Sequence, residues 1–303
     1  MEQRSRKKNE QVSFTVGESF SGRTCGEFLK LMGVSRRLVV RAKRTDGGIT
    51  RNGGFVKTSD IVFAGDRISL KRLDRSLLEP VHGLDVPIAY DDDDVTVYIK
   101  PAGMPVHPSI GHQGDTLGNC FAAGYPGLTF RPVNRLDKDT SGLCAAAKSA
   151  YAANYLSGKI SKVYMAVVQG TPIPRAVGFP DIIWQETAKG FRIEAPIGRE
   201  GDSIVKRMVR ADGQKAVTNY TIIKTNGIHS LLRIELETGR THQIRVHFSS
   251  VGHPLAGDDL YGGSTEFCRR QALHCSEMSF PAPSDGAEIK LFSDIPEDMA
   301  ELV

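Results

Sequence analysis

The chain has 303 residues, 40% hydrophobic and 24% charged, enough to bury a sizeable core and to build more than one domain. No apolar run approaches the roughly 18 residues needed to span a bilayer, and its 5 cysteines, an odd number with no C-x-x-C pair, indicate neither a disulfide framework nor a zinc knuckle. The net charge of +4 conceals an asymmetry, because residues 1–72 hold 16 Lys+Arg against 7 Asp+Glu while the remainder holds 23 against 28, so the first quarter reads as a polyanion-binding unit.

The chain opens with MEQRSRKKNEQ, polar and without an apolar signal core, which predicts a cytoplasmic protein with a frayed N-terminus. A short apolar segment starts at residue 12. In GRTCGEFLKLMGVSRRLVVRAKR, Phe28, Leu29 and Met32, then Leu38 and Val39, recur near helical spacing, with Ser35 placed to cap a second helix. Arg36, Arg37, Arg41, Lys43 and Arg44 crowd that second helix. The stretch ITRNGGFVKTSDIVFAGDRISL then alternates around Asn52-Gly53 and Gly65-Asp66, as two short strands and their turns would. Two helices with a basic face and a small strand set suit the phosphates of an RNA hairpin better than a DNA major groove. The pattern Ser35-Arg36-Arg37, Asn52-Gly53, Val56 and Gly65-Asp66-Arg67-Ile68 resembles the alpha-L RNA-binding module first described in a small-subunit ribosomal protein. We assign residues 12–72 to that module and residues 73–86, which lack periodicity, to a linker.

From Pro87 onward, short apolar runs are separated by Gly, Pro and Asp: VTVYIK, GLCAAAK, VYMAVVQG, AVTNYTII, LLRIELE and HQIRVHF. Their lengths suit strands, with one clear helical candidate at SAYAANYLSG, residues 149–158. Most strands follow one another without an intervening helix. The expected class is therefore α+β, with a mixed, largely antiparallel sheet in residues 87–303 and a small N-terminal α/β RNA-binding domain.

RPVNRLDKDTSGL, residues 131–143, concentrates charge directly before an apolar run. A plain turn accounts for Asp, Thr, Ser and Gly but gives no use to Arg135. A calcium loop starting at Asp137 would place Lys148 where a bidentate Glu is required. The DTSG of an aspartic-protease turn has no second copy to supply a partner carboxylate. An Asp held on a tight loop at a strand edge fits a nucleophile, kept ionised by a nearby cation. The candidate cation is Arg240, presented by the turn at Gly239 in LETGRTHQIRVHF, with Arg240 and Arg245 as ordinary strand-surface charges the alternative. His107, His242 and His247 lack ligand spacing, so they read as structural residues or RNA contacts, and no metal is expected.

Together these segments resemble the RluA-type pseudouridine synthases. RLDKDTSGL (135–143) is similar to that family's signature loop, IKPAGMPVHPS (99–109) to its first motif, KVYMAVVQG (162–170) to its tyrosine motif and LETGRTHQIRVHF to its third. PIGR, GDDLYGG and RQALHCSEMSF agree as well, whereas Asn134 stands where the family often has His and FPAP replaces a common Phe-x-His-Pro. The resemblance covers about residues 86–283. It implies a pseudouridine synthase fold and isomerisation of uridine in RNA without a cofactor. The implied catalytic residues are Asp137 as nucleophile, Tyr164 stacking on the base and assisting proton removal at carbon five, and Arg240 ionising Asp137. Arg135 and His107 would contact RNA, and the module's Arg36, Arg37, Arg41, Lys43 and Arg44 its phosphates. The implied partner is RNA, ribosomal RNA being favoured over transfer RNA, and the enzyme is expected to be a monomer. The rivals are a non-catalytic RNA-binding ribosome assembly factor and a hydrolase of nucleoside glycosidic bonds.

Overall fold

The computed structural model describes residues 11–71, 78–175 and 180–303. Its N-terminal part contains β1 (Gln11–Thr15), α1 (Cys25–Leu31), α2 (Arg36–Lys43), β2 (Ile49–Arg51), β3 (Gly54–Phe55) and β4 (Arg67–Lys71). The four strands form one antiparallel sheet in the order β1-β4-β2-β3. Thr24 and Glu27 form a capping box on α1, and the Ser35 hydroxyl accepts from the Leu38 amide at 3.2 Å to start α2 as its sequence requires. Phe28, Leu29, Leu38, Ile68 and Leu70 fill a separate core beneath the helices.

The larger part continues with β5 (Ile88–Asp91), β6 (Val95–Lys100), α3 (Leu117–Gly124), β7 (Arg131–Pro132), β8 (Ser141–Ala147), α4 (Ala150–Leu156) and β9 (Ser161–Gln169). It proceeds through β10 (Ile183–Thr187), β11 (Gly190–Glu194), β12 (Ile197–Arg199), β13 (Arg207–Val209), β14 (Val217–Thr225) and β15 (His229–Leu236). It closes with α5 (Gln243–Ser250), β16 (Leu273–Pro281), β17 (Glu288–Phe292) and α6 (Glu297–Ala300). Eleven of these strands make one sheet whose main path is β10-β11-β14-β15-β9-β16-β8-β6-β5, with β17 on β16 and β7 on β8. Every pairing within it is antiparallel except β16 with β8, which is the mixed, largely antiparallel sheet the sequence predicts.

That parallel contact organises the molecule's centre. Cys275 on β16 stands opposite Gly142 on β8 and opposite Tyr164 on β9. Gly142 has φ +108°, and a Cβ there would lie 2.3 Å from the Cys275 carbonyl oxygen, so the TSG sequence is what lets β8 meet β16. One row of the sheet thus carries the strand that follows the charged loop and the strand that carries the tyrosine.

One expectation is corrected. HQIRVHF is helix α5 rather than a strand: Ile244, Val246 and Phe248 alternate with polar residues, but Gln243, Arg245 and His247 are buried too. A helix enclosed on all sides loses the two-faced pattern by which sequence separates it from a strand. The described residues also include α3, capped by Thr116 through Asn119, where the sequence showed no clear periodicity for the same reason. In the described portion of residues 73–86, Val86 is buried in the main core, Leu78 packs against it and the Val81 amide donates to Asn119 O at 3.3 Å.

Candidate active site

A cleft of about 1040 Å³ opens beside the central strands, lined by residues of the 132–140 loop, the start of β9, the end of β15 and the start of α5. Asp137 occupies its floor. A turn closed by the Thr140 amide donating to Asp137 O at 3.1 Å holds the residue immediately ahead of β8. Asn134 fixes the other end of this loop: its buried side chain donates to Leu143 O at 3.2 Å and accepts from the Ala145 amide at 2.8 Å. The residue that departs from the resembled pattern therefore serves as a backbone brace.

Arg245 on α5 supplies the cation at Asp137. Its Nε and Nη2 hold the fully buried Asp258 at 2.7 Å each, and Nη1 donates to Asp137 Oδ2 at 3.3 Å. The guanidinium also lies over the Tyr261 ring, 4.9 Å from its centroid. A fork with two arms fixed by one carboxylate presents its third at a set position to another. Arg240 does not make the predicted pair. It is exposed at the cleft's rim, its Nε donates to Lys215 O at 3.1 Å and its amide to Gln243 Oε1 at 3.0 Å. The reason is the helix: α5 begins at Gln243, turning the residue at 245 inward and leaving 240 in the preceding loop.

His242 was dismissed by its spacing, yet it faces Asp137, with Nε2 3.8 Å from Oδ2. It takes a left-handed backbone, φ +58°, without being glycine, a strained conformation that the surrounding structure must enforce. Burial holds its imidazole below the usual range despite the neighbouring Asp137 charge, which opposes that shift. Nδ1 lies 2.8 Å from the Tyr261 hydroxyl, whose oxygen already accepts from the Arg207 amide. In the neutral ring that hydroxyl donates to Nδ1, leaving Nε2–H to face the carboxylate.

Tyr164 lines the same cleft from β9 and is 7% exposed. Burial, with smaller contributions from Cys275 and Asp137, pushes its phenol well above the ordinary value, so it stays protonated. Arg135 is exposed on the cleft's edge. His107, also exposed, packs its ring on Phe130 at 5.0 Å, and partial burial followed by the Arg135 cation lowers its pKa, which places it near Arg135 but outside the cleft lining. Arg36, Arg41, Lys43 and Arg44 are exposed on α2, while the Arg37 side chain lies outside the described residues.

Lys100, from IKPAGMPVHPS, is a further residue that spacing did not single out. It is fully buried, and its ammonium donates to Pro101 O, Met104 O and Lys138 O at 2.7, 2.8 and 2.9 Å. Burial lowers its pKa to about 8. The sequence signal was a Lys inside an apolar strand end, where an unpaired cation is costly unless carbonyls receive it. Among the described residues no cluster of His, Cys, Asp and Glu could hold a metal ion, and no helix is long and apolar enough to cross a membrane.

The family described as RNA pseudouridylate synthase matches residues 94–250. YjbO of Bacillus subtilis, described as an uncharacterized RNA pseudouridine synthase, is 35% identical over 291 residues, 92% of this chain and 98% of that protein. Ribosomal large subunit pseudouridine synthase D of Pseudomonas aeruginosa is 35% identical over 283 residues, 85% of this chain and 83% of its own. Among solved structures, human RNA pseudouridylate synthase domain containing 1 shares the fold, with a TM-score of 0.54 and 21% identity over 74% of this chain and 96% of that one.

Proposed function

Because this chain belongs to the RNA pseudouridylate synthase family, and is thus an isomerase acting on RNA, we propose that it uses Asp137 as nucleophile on a uridine flipped out of large-subunit ribosomal RNA. The observation that carries the assignment is the Asp137 carboxylate on the floor of the cleft, held by Arg245 and faced by Tyr164. The relative named for the ribosomal large subunit supports that choice of RNA over transfer RNA. On this reading the enzyme works as a monomer in the cytoplasm.

The reaction breaks the bond between N1 of uracil and the ribose, turns the base, and joins carbon five to the ribose. A proton leaves carbon five and one is gained at N1, so atoms balance without a co-reactant. Glycosidases ordinarily pair two carboxylates because their leaving groups are poor. Uracil departs as a delocalised anion, for which one carboxylate suffices. Arg245 aims Asp137 through its third arm, and His242 Nε2–H faces the same oxygen. Tyr164 forms a wall for the base to stack on. Its buried, protonated phenol supports that role more than removal of the proton from carbon five. Arg135 reaches the flipped nucleotide from the rim, and the loss of stacking costs on the order of a few kcal/mol. Arg240 and His107 contact RNA outside the reacting centre. The exposed cations of α2 grip phosphates, with an affinity that falls as salt rises.

The test is tritium release from transcripts labelled at carbon five of uridine, with large-subunit ribosomal RNA and transfer RNA compared. Wild-type protein is expected to release tritium from the ribosomal transcript, and Asp137→Ala to bind that RNA within about twofold yet release none. Equal release by both proteins would remove Asp137 from its role, and free uracil among the products would mark a hydrolase.

A further inference from the structure

The turn that carries Asp137 is held by two largely buried cations. Lys100 Nζ donates to the Lys138 carbonyl at 2.9 Å, and Arg270 Nη1 donates to the Asp139 carbonyl at 3.3 Å. The same Nη1 reaches Gln271 O at 3.1 Å and Leu273 O at 3.4 Å, so one guanidinium ties the Asp137 turn to the first residues of β16. The Arg270 side chain is only 13% exposed. Its remaining edge is held by Asp298 of α6, with Nε and Nη2 donating to the two carboxylate oxygens at 2.7 and 2.8 Å. α6 is itself fastened to the sheet: Met299 and Leu302 are buried against Val167 and Ala272, Lys224 Nζ donates to Val303 O at 2.6 Å and Asn226 Nδ2 to Leu302 O at 3.0 Å.

We propose that Arg270 and Asp298 are a positioning pair for the reaction, through which α6, at the far end of the chain from the signature loop, sets the placement of Asp137. The inference rests on the reading of Asp137 as nucleophile. Neither residue is itself part of the cleft lining. Their effect runs through the Asp139 carbonyl, two residues from the reacting carboxylate. A guanidinium that donates to three carbonyls needs a fixed orientation, and the two-pronged bond from Asp298 supplies it. Without that carboxylate the cation is drawn toward water or toward the acids of the turn itself, and the Asp139 carbonyl loses its fixed donor. A displacement of about 1 Å at a reacting group costs roughly 100-fold in rate. As an ion pair with a half-exposed partner, the contact adds little to stability. A structural role and a positioning role therefore predict different things.

The experiment measures single-turnover pseudouridine formation at saturating ribosomal RNA, RNA affinity and thermal midpoint for wild type, Asp298→Asn, Asp298→Glu, Arg270→Lys and the double variant Arg270→Lys/Asp298→Asn. Asp298→Asn and Arg270→Lys are expected to slow conversion roughly 10- to 100-fold, with RNA affinity within about twofold and the protein still folded at the assay temperature. Asp298→Glu should recover most of the rate, and the double variant should be no slower than the worse single one, since the two act as a unit. A wild-type rate for Asp298→Asn overturns the proposal. So does a rate loss that matches the unfolded fraction measured by circular dichroism, or additive losses in the double variant. Asp137→Ala run in parallel separates the two readings: if it still makes product, the nucleophile assignment fails, whereas an inactive Asp137→Ala beside a fully active Asp298→Asn removes only the pair.

Discussion

Arg245 balances two carboxylates of different standing, the buried Asp258 that fixes it and the half-buried Asp137 that it serves. Arg245→Met is expected to abolish measurable conversion and to destabilise the protein by about 3–5 kcal/mol, because Asp258 is left as an uncompensated buried charge. Arg240→Ala should keep the single-turnover rate within about threefold while weakening RNA binding several-fold. Urea unfolding and the tritium assay on both variants check this, and a dead Arg240→Ala with an active Arg245→Met would reverse the assignment. At this scale the resemblance of two motifs pointed to Asp137 and Tyr164, and both line the same cleft. It did not separate Arg240 from Arg245. Both stand in LETGRTHQIRVHF, and only the point where the helix begins decides which faces the carboxylate. His242 was equally hidden, since its role depends on a positive φ that no neighbouring Gly or Pro announces.

Among the elements, β8 and β16 form the contact that most constrains the cleft. Gly142→Ala would drive a Cβ into the Cys275 backbone from a conformation that alanine adopts only with strain. We expect a loss of about 2 kcal/mol or more and a lower yield of folded protein. A thermal midpoint equal to wild type in that variant would show that the parallel pair has slack. Strands and α4 were legible as apolar runs of suitable length bounded by Gly, Pro, Asp and Ser; Ser149 caps α4, accepting from the Ala152 amide at 3.0 Å. α5 was misread and α3 passed over because both are enclosed.

For the whole molecule, two buried histidines set the acid limit of stability. His247 accepts no charge where it lies, between Thr218 Oγ1 at 2.9 Å and Ala195 O at 3.0 Å, and burial lowers its pKa to about 4. His274, between Ser141 Oγ at 2.8 Å and Ser293 Oγ at 3.1 Å, is likewise lowered to about 4 by burial. In the unfolded chain both bind a proton near the usual 6.5. Their contribution is therefore complete above about pH 6.5 and is lost as pH falls toward 4, at a cost on the order of 3 kcal/mol each. Urea midpoints measured from pH 7.5 down to pH 4.5 should fall steadily, and a flat profile would mean that these rings stay accessible to protons. Spanning the two parts, Tyr151 of α4 belongs to the core of the N-terminal module, its ring 5.0 Å from Phe14, and the neighbouring Asn154 side chain donates to Gly33 O. The chain leaving that helix passes through Gly158 and Ile160 to Ser161, the start of β9, at the border of the cleft. A module on a loose tether would raise local RNA concentration over a broad shell of distances. If the module holds RNA as proposed, one seated on a short helix offers a single span instead and would work as a gauge, admitting RNAs in which a bound backbone segment and the reactive uridine lie the right distance apart, whatever sequence joins them.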